Sequence, residues 1–185
     1  DNPLPQPSEG RPVRAFDRYL AELVRDDDSV CAFLDVYLRR FEAERISYVR
    51  AAAALGSEFL VRVCREALNA DGDVQGFIEQ AFEDAMTDVY VLDELHVLDP
   101  DADRPVLRGM FMQELITVLS HGFDVFFINA PDDELQFWRD TLGARQVGRF
   151  IAASGARPLP TYPAVRRAGR QPHPRLRVLS RRGEP

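Results

Sequence analysis

The sequence predicts a mixed α/β domain in which a sheet is flanked by helices, with two amphipathic helices first and an irregular tail last. Three observations predict this class. Apolar residues recur at helical spacing early in the chain, β-rich and continuous apolar segments follow, and the proline-rich end carries little hydrophobicity. With 185 residues, 45% of them hydrophobic, the chain is long enough for one domain with its own core.

The N-terminal part, residues 11–56, is predicted to be helical. Residues 1–10 before it are polar, contain no signal-peptide hydrophobic segment and are expected to be flexible. Apolar side chains repeat at helical spacing from Val13 to about Asp26 and from Val30 to about Leu55. The segment Asp-Asp-Asp-Ser at 26–29 supplies a break and a helix N-cap, and Gly56 ends the second helix.

Residues 57–154 are predicted to form a sheet that carries two helices. The predicted strands are 59–65, 74–82, 88–98, 123–128 and 145–152. The predicted helices are 106–120 and 132–142. An Asp-Gly turn at 69–73 joins the first two strands as a hairpin. The strand at 123–128 is an apolar run apart from Asp124, which suits burial on both faces. Residues 155–185 form the tail.

Charge separates an acidic body from a basic tail. Residues 1–154 carry a net charge of −14 and residues 155–185 carry +7. The acidic body favours a cationic ligand, and the basic tail favours an acidic partner. Tyr162 is the single aromatic residue of the tail, which disfavours stacking on nucleic-acid bases. No apolar run is long enough to cross a membrane, so a cytoplasmic protein is expected.

Cysteine and histidine usage predicts no metal site. Cys31 and Cys64 lie on apolar faces, as small buried side chains do in a reducing compartment. The three histidines are scattered and lack the spacing of metal ligands. They are His96, His121 and His173.

Three stretches together follow the order strand, loop, helix, strand, helix, strand. They are DGDVQGFIEQ (71–80), VLDELHVLDPDADRPVLRGMFMQELITVL (91–119) and GFDVFFINAPDDELQFWRDTLGARQVGRF (122–150). In this order they resemble the GNAT N-acetyltransferase superfamily, over about half of the chain. The resemblance implies a GNAT-like mixed sheet, acetyl-CoA or another acyl-CoA as cofactor, and acyl transfer to an amine of a small molecule or a protein.

The resemblance implies a diphosphate site where the helix after the loop begins. The family's glycine-rich loop is matched by 104–109 (RPVLRG), although Leu107 replaces a glycine and Pro105 removes a backbone donor. Two arginines could compensate through charge-assisted contacts worth about 1.5–3 kcal/mol each. The alternative is that they are solvated at a helix start. By resemblance the binding residues here are Arg104, Arg108, Gly109 and Met110.

The remaining cofactor contacts also follow from the resemblance. A bulged strand before the loop leaves backbone groups for pantetheine, which places His96, Val97 and Leu98 beside the cofactor. Asn129 matches a family position after the buried strand, and capping of the next helix is an equal alternative. Trp138 stands where the family has a tyrosine acid. Because indole has no titratable proton, packing is the favoured role of Trp138.

Amine acylation needs a base for the amine and a proton for the leaving thiolate. Glu94 matches the family's strand carboxylate, with Asp93 expected on the other face. The alternative for Glu94 is an exposed structural carboxylate. Tyr90, water or no group at all remains for the acid.

Three functions therefore stay open. The first is an active acyl-CoA-dependent N-acyltransferase. The second is a catalytically inactive GNAT-like scaffold, which Leu107 and the missing tyrosine favour. The third uses the basic tail as an arm for nucleic acid or an acidic protein, with a dimeric body. No convincing first strand precedes the helices, so a sheet edge must be covered by helices, the tail or a second copy in a homodimer.

Overall fold

The computed structural model describes residues 15–40, 47–99, 104–156, 159–160 and 174–181. The expectations for the flexible start, for the loop at 100–103 and for most of the tail lie outside these residues. In the described part, no helix is both long and apolar enough to cross a membrane.

Eight strands and five α-helices make up the described chain. The strands are β1 (Phe16–Val24), β2 (Val30–Arg39), β3 (Asp88–Leu92), β4 (His96–Val97), β5 (Asp124–Ile128), β6 (Arg145–Val147), β7 (Phe150–Ser154) and β8 (Arg175–Ser180). The helices are α1 (Tyr48–Ala54), α2 (Glu58–Glu66), α3 (Gly76–Phe82), α4 (Arg104–Leu119) and α5 (Leu135–Leu142). A short 3-10 turn, Asp132–Glu134, leads into α5.

The strands form one mixed sheet in the order β6-β7-β5-β3-β2-β1-β8, and β4 also pairs with β2. Among the described strands, β3 and β5 are the parallel pair, and the other pairs are antiparallel. A parallel pair needs a crossover connection, which α4 provides. The predicted class, a mixed sheet with helices around it, is confirmed at this level.

Two hydrophobic cores lie on opposite faces of the sheet. Alternate residues of β3 divide between them: Val89 and Val91 face α1, α2 and α3, whereas Tyr90 and Leu92 face α4 and α5. The strand β5 is buried along its whole length for the same reason. This arrangement confirms the interpretation of the apolar run at 123–128 as a strand covered on both sides.

The two predicted N-terminal helices are wrong for residues 16–39, which form the hairpin of β1 and β2. The end of the second predicted helix is helical, because Tyr48–Ala54 is α1. Segment 26–29 is the turn between these strands, not a helix cap, and Asp28 adopts the left-handed conformation with φ of 62°. The apolar spacing of this region fits a period of two as well as 3.6, and cross-strand pairing decided the outcome. Gly56, with φ of 77°, does follow the end of α1 as predicted.

The predicted strands 59–65 and 74–82 are also wrong, because they form α2 and α3. Ser57 caps α2 by accepting a hydrogen bond from the Leu60 amide. The buried face of α2 is Phe59, Leu60, Val63 and Cys64, which is helical spacing. The turn at 69–73 is present, but only the Leu68–Val74 bridge flanks it.

The predictions for the second half agree with the structure. Helices α4 and α5 and strands β3 and β5 lie within two or three residues of their predicted bounds, apart from the strand end beyond Leu92. The predicted strand 145–152 is instead a β6–β7 hairpin that turns at Gly148, with φ of 60°. Both cysteines are buried, and burial raises the pKa of Cys64 to about 12.

Part of the tail is ordered. The strand β8 pairs antiparallel with β1 and covers its edge, so the prediction of an irregular tail is wrong for residues 175–180. Leu176 and Val178 pack against the core beneath α4. Arg177 forms an ion pair with Glu22 of β1, with 2.6 Å between Nη2 and Oε2. Residues 175–180 of the tail therefore add an edge strand to the sheet of their own chain.

Candidate functional site

Strands β3 and β5 pair in parallel and then separate. Their register ends with Leu92 opposite Ile128, and the last hydrogen bond runs from the Asn129 amide to the Leu92 carbonyl, at 2.9 Å. Beyond Leu92 the chain continues along β2 as β4, while the chain after Ile128 reaches the turn at Pro131. A gap therefore opens at the C-terminal ends of parallel neighbours, where ligands commonly bind in α/β sheets.

An extra residue between β3 and β4 accompanies this separation. The pairs on either side of it are Val36 with Leu92 and Phe33 with His96. Three residue steps on β2 thus face four on its neighbour, which is a β-bulge. Because the bulge interrupts the alternation of side chains, Asp93 and Glu94 both line the gap. The prediction that Asp93 would face away from Glu94 is wrong for this reason.

The gap belongs to a cavity of about 280 Å³, which we call the cleft. Its walls come from the bulge, β4, the end of β5 and the first turns of α4 and α5. Six predicted site residues line it: Glu94, Val97, Arg104, Arg108, Asn129 and Trp138. The structure thus brings together residues that lie up to 44 positions apart in the sequence.

An ion pair between α4 and the turn before α5 stands inside the cleft. Arg108 Nη1 donates to Glu134 Oε1 at 2.8 Å, and Nη2 donates to Oε2. Trp138 Nε1 donates to the same Oε2 at 3.1 Å. The Arg108 guanidinium also lies 5.2 Å from the centre of the Trp138 ring, within the range of a cation–π contact. Arg108 is therefore held by a carboxylate and not merely solvated.

These contacts set the protonation of Glu134. The hydrogen bonds from Arg108 lower the pKa of this carboxyl below its usual value of 4.5, against the opposing effect of partial burial. Glu134 is therefore ionised at neutral pH. The residues that line the cleft include three carboxylates and two guanidinium groups. They are Asp93, Glu94 and Glu134, with Arg104 and Arg108.

Asn129 fixes the neighbouring acidic residue. Its Nδ2 donates to Asp93 Oδ1 at 2.8 Å, and the Glu94 amide donates to the same oxygen at 2.9 Å. The 3-10 turn that follows begins at Pro131 without a side-chain cap, so the alternative interpretation of Asn129 as a helix cap is wrong. Glu94 itself is exposed at the mouth of the cleft.

Tyr90 lies away from the cleft. Its ring stacks on Phe126 with 4.7 Å between ring centres, and its hydroxyl donates to the Leu119 carbonyl at 3.1 Å. Burial raises the pKa of the phenol. Tyr90 is therefore a core residue beneath α4, and the structure does not bring it to Glu94.

The other predicted residues surround the cleft without lining it. His96 is exposed and stacks on Phe33, with 4.9 Å between ring centres, and Leu98 is exposed beside it. Gly109 and Met110 are buried in α4. They support the helix that carries Arg108.

Sequence reasoning missed several cleft residues, above all Glu134. Its spacing of four from Trp138 was a usable signal, because residues four apart share one face of a helix. Its pairing with Arg108, 26 positions away, had no local signal.

Two other features of the described residues carry no comparable chemistry. A wider groove of about 460 Å³ on α1 and α2 is lined by exposed charges of both signs, such as Glu58, Arg62 and Arg65, and by none of the predicted site residues. No group of three or more His, Cys, Asp or Glu side chains in the described ranges could hold a metal ion.

Comparison with known proteins returns no matching family model, no matching curated protein and no matching solved structure. The cleft is therefore interpreted from its own residues.

Proposed function

We propose that this chain is an acyl-CoA-dependent N-acyltransferase of the GNAT type, which moves an acetyl or other acyl group to an amine. The observation that supports this best is the cleft, where a bulged strand leaves its parallel neighbour beside the first turns of α4. The family resemblance stated for the sequence implies the same combination. Fold likeness alone would not assign chemistry, so the proposal depends on the residues in the cleft.

The cleft offers two kinds of contact to such a cofactor. In the described chain, no strand pairs with the edge of β4 that faces away from β2, and an extended chain with amide groups can pair there as an added strand. Arg104 and Arg108 on α4 would take the negatively charged diphosphate. Because Pro105 has no amide hydrogen, side chains must supply more of this contact than backbone does.

Glu94 is the residue that we assign to proton transfer. A protonated amine must lose a proton before its nitrogen can attack the thioester carbonyl, and Glu94 is an exposed carboxylate at the cleft. The new C–N bond then forms as the C–S bond breaks. The attacking nitrogen loses a further proton, and the departing thiolate gains one from solvent. With Tyr90 in the core, water is the acid we assign.

The charge of the cleft suggests the acceptor class. Asp93 is held in place by Asn129, and Glu94 lies next to it. Two adjacent carboxylates at the mouth would attract a cationic amine, such as a polyamine or a basic protein N-terminus. The net charge of −7 acts in the same direction.

The test combines binding with turnover. Calorimetry with acetyl-CoA and CoA measures occupancy of the cleft, and release of free thiol with a panel of amines measures transfer. We expect Glu94→Gln to lower kcat by about 100-fold, the usual contribution of a general base, while the Kd for CoA changes by less than about twofold. Glu58→Gln is the matched control, since it removes one exposed carboxylate far from the cleft. Equal rates in wild type and Glu94→Gln would refute the assignment of Glu94.

A second function is favoured by the position of Tyr90 and by the closed pair of Arg108 and Glu134. In this alternative the chain binds acyl-CoA without transferring the acyl group, as a scaffold within a complex. Binding of CoA without thiol release across the amine panel would support the scaffold. Thiol release that depends on Glu94 would exclude it.

A further inference from the structure

The ion pair in the cleft occupies the arginine that a phosphate group would bind. The Arg108 and Glu134 side chains are 25% and 26% exposed, so each still reaches the cavity. Two parallel hydrogen bonds join them, which is the geometry in which arginine binds a carboxylate or a phosphate. A ligand with a phosphate group would need the same two N–H groups of Arg108.

The pair is held on one side by α5. Trp138 donates to Glu134 from one turn further along the helix, and its ring lies beside the Arg108 guanidinium. Phe137 lies 5.6 Å from the same guanidinium. These rings fix Arg108 in the cavity. Glu134, in contrast, lies in the 3-10 turn before α5 and its side chain is 26% exposed. Rotation of this side chain toward solvent would break its bonds to Arg108 and Trp138 without requiring the helix to move.

We propose that Glu134 is an internal competitor for the anion position of the cleft, so that a phosphate-bearing ligand binds by displacing the Glu134 carboxylate from Arg108. With Glu134 in place the cleft lining holds more carboxylates than guanidinium groups, which opposes entry of a phosphate. Once Glu134 rotates away, Arg104 and Arg108 face the ligand. The affinity for the ligand is reduced by the fraction of molecules in which the pair is closed.

If the ligand is an acyl-CoA, this inference adds detail to the proposed function and rests on that function. The exchange itself requires only a ligand with a phosphate. Glu134 would then set specificity, because ligands whose anionic group binds Arg108 weakly would not displace it.

The experiment uses calorimetry with two probes, CoA and inorganic pyrophosphate, on wild type and Glu134→Gln. We expect Glu134→Gln to bind both probes about tenfold or more tightly, since a neutral amide competes poorly for Arg108. Asp133→Asn is the matched control. It removes one negative charge at the same helix end from an exposed residue outside the cleft, and we expect a change below about twofold. Arg108→Gln combined with Glu134→Gln should lose the gain.

The wild type supplies a second readout that needs no substitution. Trp138 is the single tryptophan of the chain and donates a hydrogen bond to Glu134. Displacement of Glu134 by pyrophosphate should therefore change the tryptophan fluorescence with saturation, whereas sodium chloride of equal ionic strength should not.

The outcomes separate this inference from the proposed function. Tighter pyrophosphate binding by Glu134→Gln without any CoA binding would support the competitor and refute the acyl-CoA function. Equal CoA affinities in wild type and Glu134→Gln would overturn the competitor and leave the acyl-CoA function standing. If folded Glu134→Gln binds neither probe and the wild-type fluorescence does not respond, both proposals are wrong.

Discussion

The two faces of the sheet use an arginine side chain in different ways. Under α1, α2 and α3, the Arg39 side chain is 0% exposed and donates to the main-chain carbonyls of Gly72 and Thr87. Under α4 and α5, Arg108 is partly exposed and donates to the carboxylate of Glu134. Main-chain carbonyls cannot leave, whereas a carboxylate beside a cavity can rotate away. The first arginine therefore holds the fold together, and the second is the one for which we propose ligand exchange.

The largest effect expected from this comparison is on stability. Arg39→Ala leaves the buried Gly72 carbonyl and the Thr87 carbonyl without this donor and opens a cavity, so we expect the free energy of unfolding to fall by about 3–5 kcal/mol. Arg108→Gln should lower it by no more than about 1 kcal/mol, as for other partly exposed ion pairs. Urea denaturation measures both. Arg40→Ala is the control at the next residue, just after β2, since its side chain is 42% exposed. Similar losses for Arg39→Ala and Arg108→Gln would remove the distinction between the two faces.

A smaller effect is expected where the Arg39 face is tightly packed. Gly72 has a φ of 85°, and an added Cβ would lie 2.3 Å from Cε2 of Tyr48. We expect Gly72→Ala to lower the free energy of unfolding by about 2 kcal/mol, since both backbone strain and overlap oppose it. Gly76→Ala is the matched control in the same region, because nothing lies within 4 Å of its added Cβ. Equal stability of the two variants would contradict the packing of Gly72 against Tyr48.

The smallest effect concerns pH on the Arg108 face. The folded pKa of Glu134 is lowered, so its contribution to stability is present above its usual pKa of 4.5 and is lost as pH falls through the folded pKa. We expect Glu134→Gln to lose less stability than wild type between pH 6 and pH 3, by less than about 1 kcal/mol. Urea midpoints across this range measure the difference. Asp133→Asn controls for the change in net charge, and parallel curves for wild type and Glu134→Gln would contradict the ion pair.

The sequence predicted the face that carries the cleft better than the opposite face. The strand at 123–128 is apolar apart from Asp124, and the helix after Pro105 has a continuous apolar stripe, so each pattern fitted a single kind of element. At 16–24 and 30–39, the apolar residues fitted both a helix and a strand. The segment 59–65 is different, because Ser57 and the spacing from Phe59 to Cys64 already indicated a helix. The strand prediction for 59–65 rested on the β-branched residues Val61 and Val63, whose preference for strands is weaker than the helical spacing.

The same division applies to the cleft. The sequence supplied six candidates that line the cavity, Arg108 and Glu94 among them, and five that do not, such as Tyr90. It misplaced Asp93, because an extra residue in one strand is visible only against the register of its partner. It did not find Glu134, since the partner of this carboxylate lies on another helix.

The sequence by itself determined the elements whose signals are local: the helices α4 and α5, the doubly buried strand β5, and the sites where glycine turns the chain. The tertiary structure decided which ambiguous segments became strands, how β8 covers β1, and that Arg108 meets Glu134 instead of solvent. The physical reason is the range of the bonds. A helix satisfies its backbone within four residues, whereas a strand, a bulge and an ion pair across a cleft depend on partners that only the folded chain brings near.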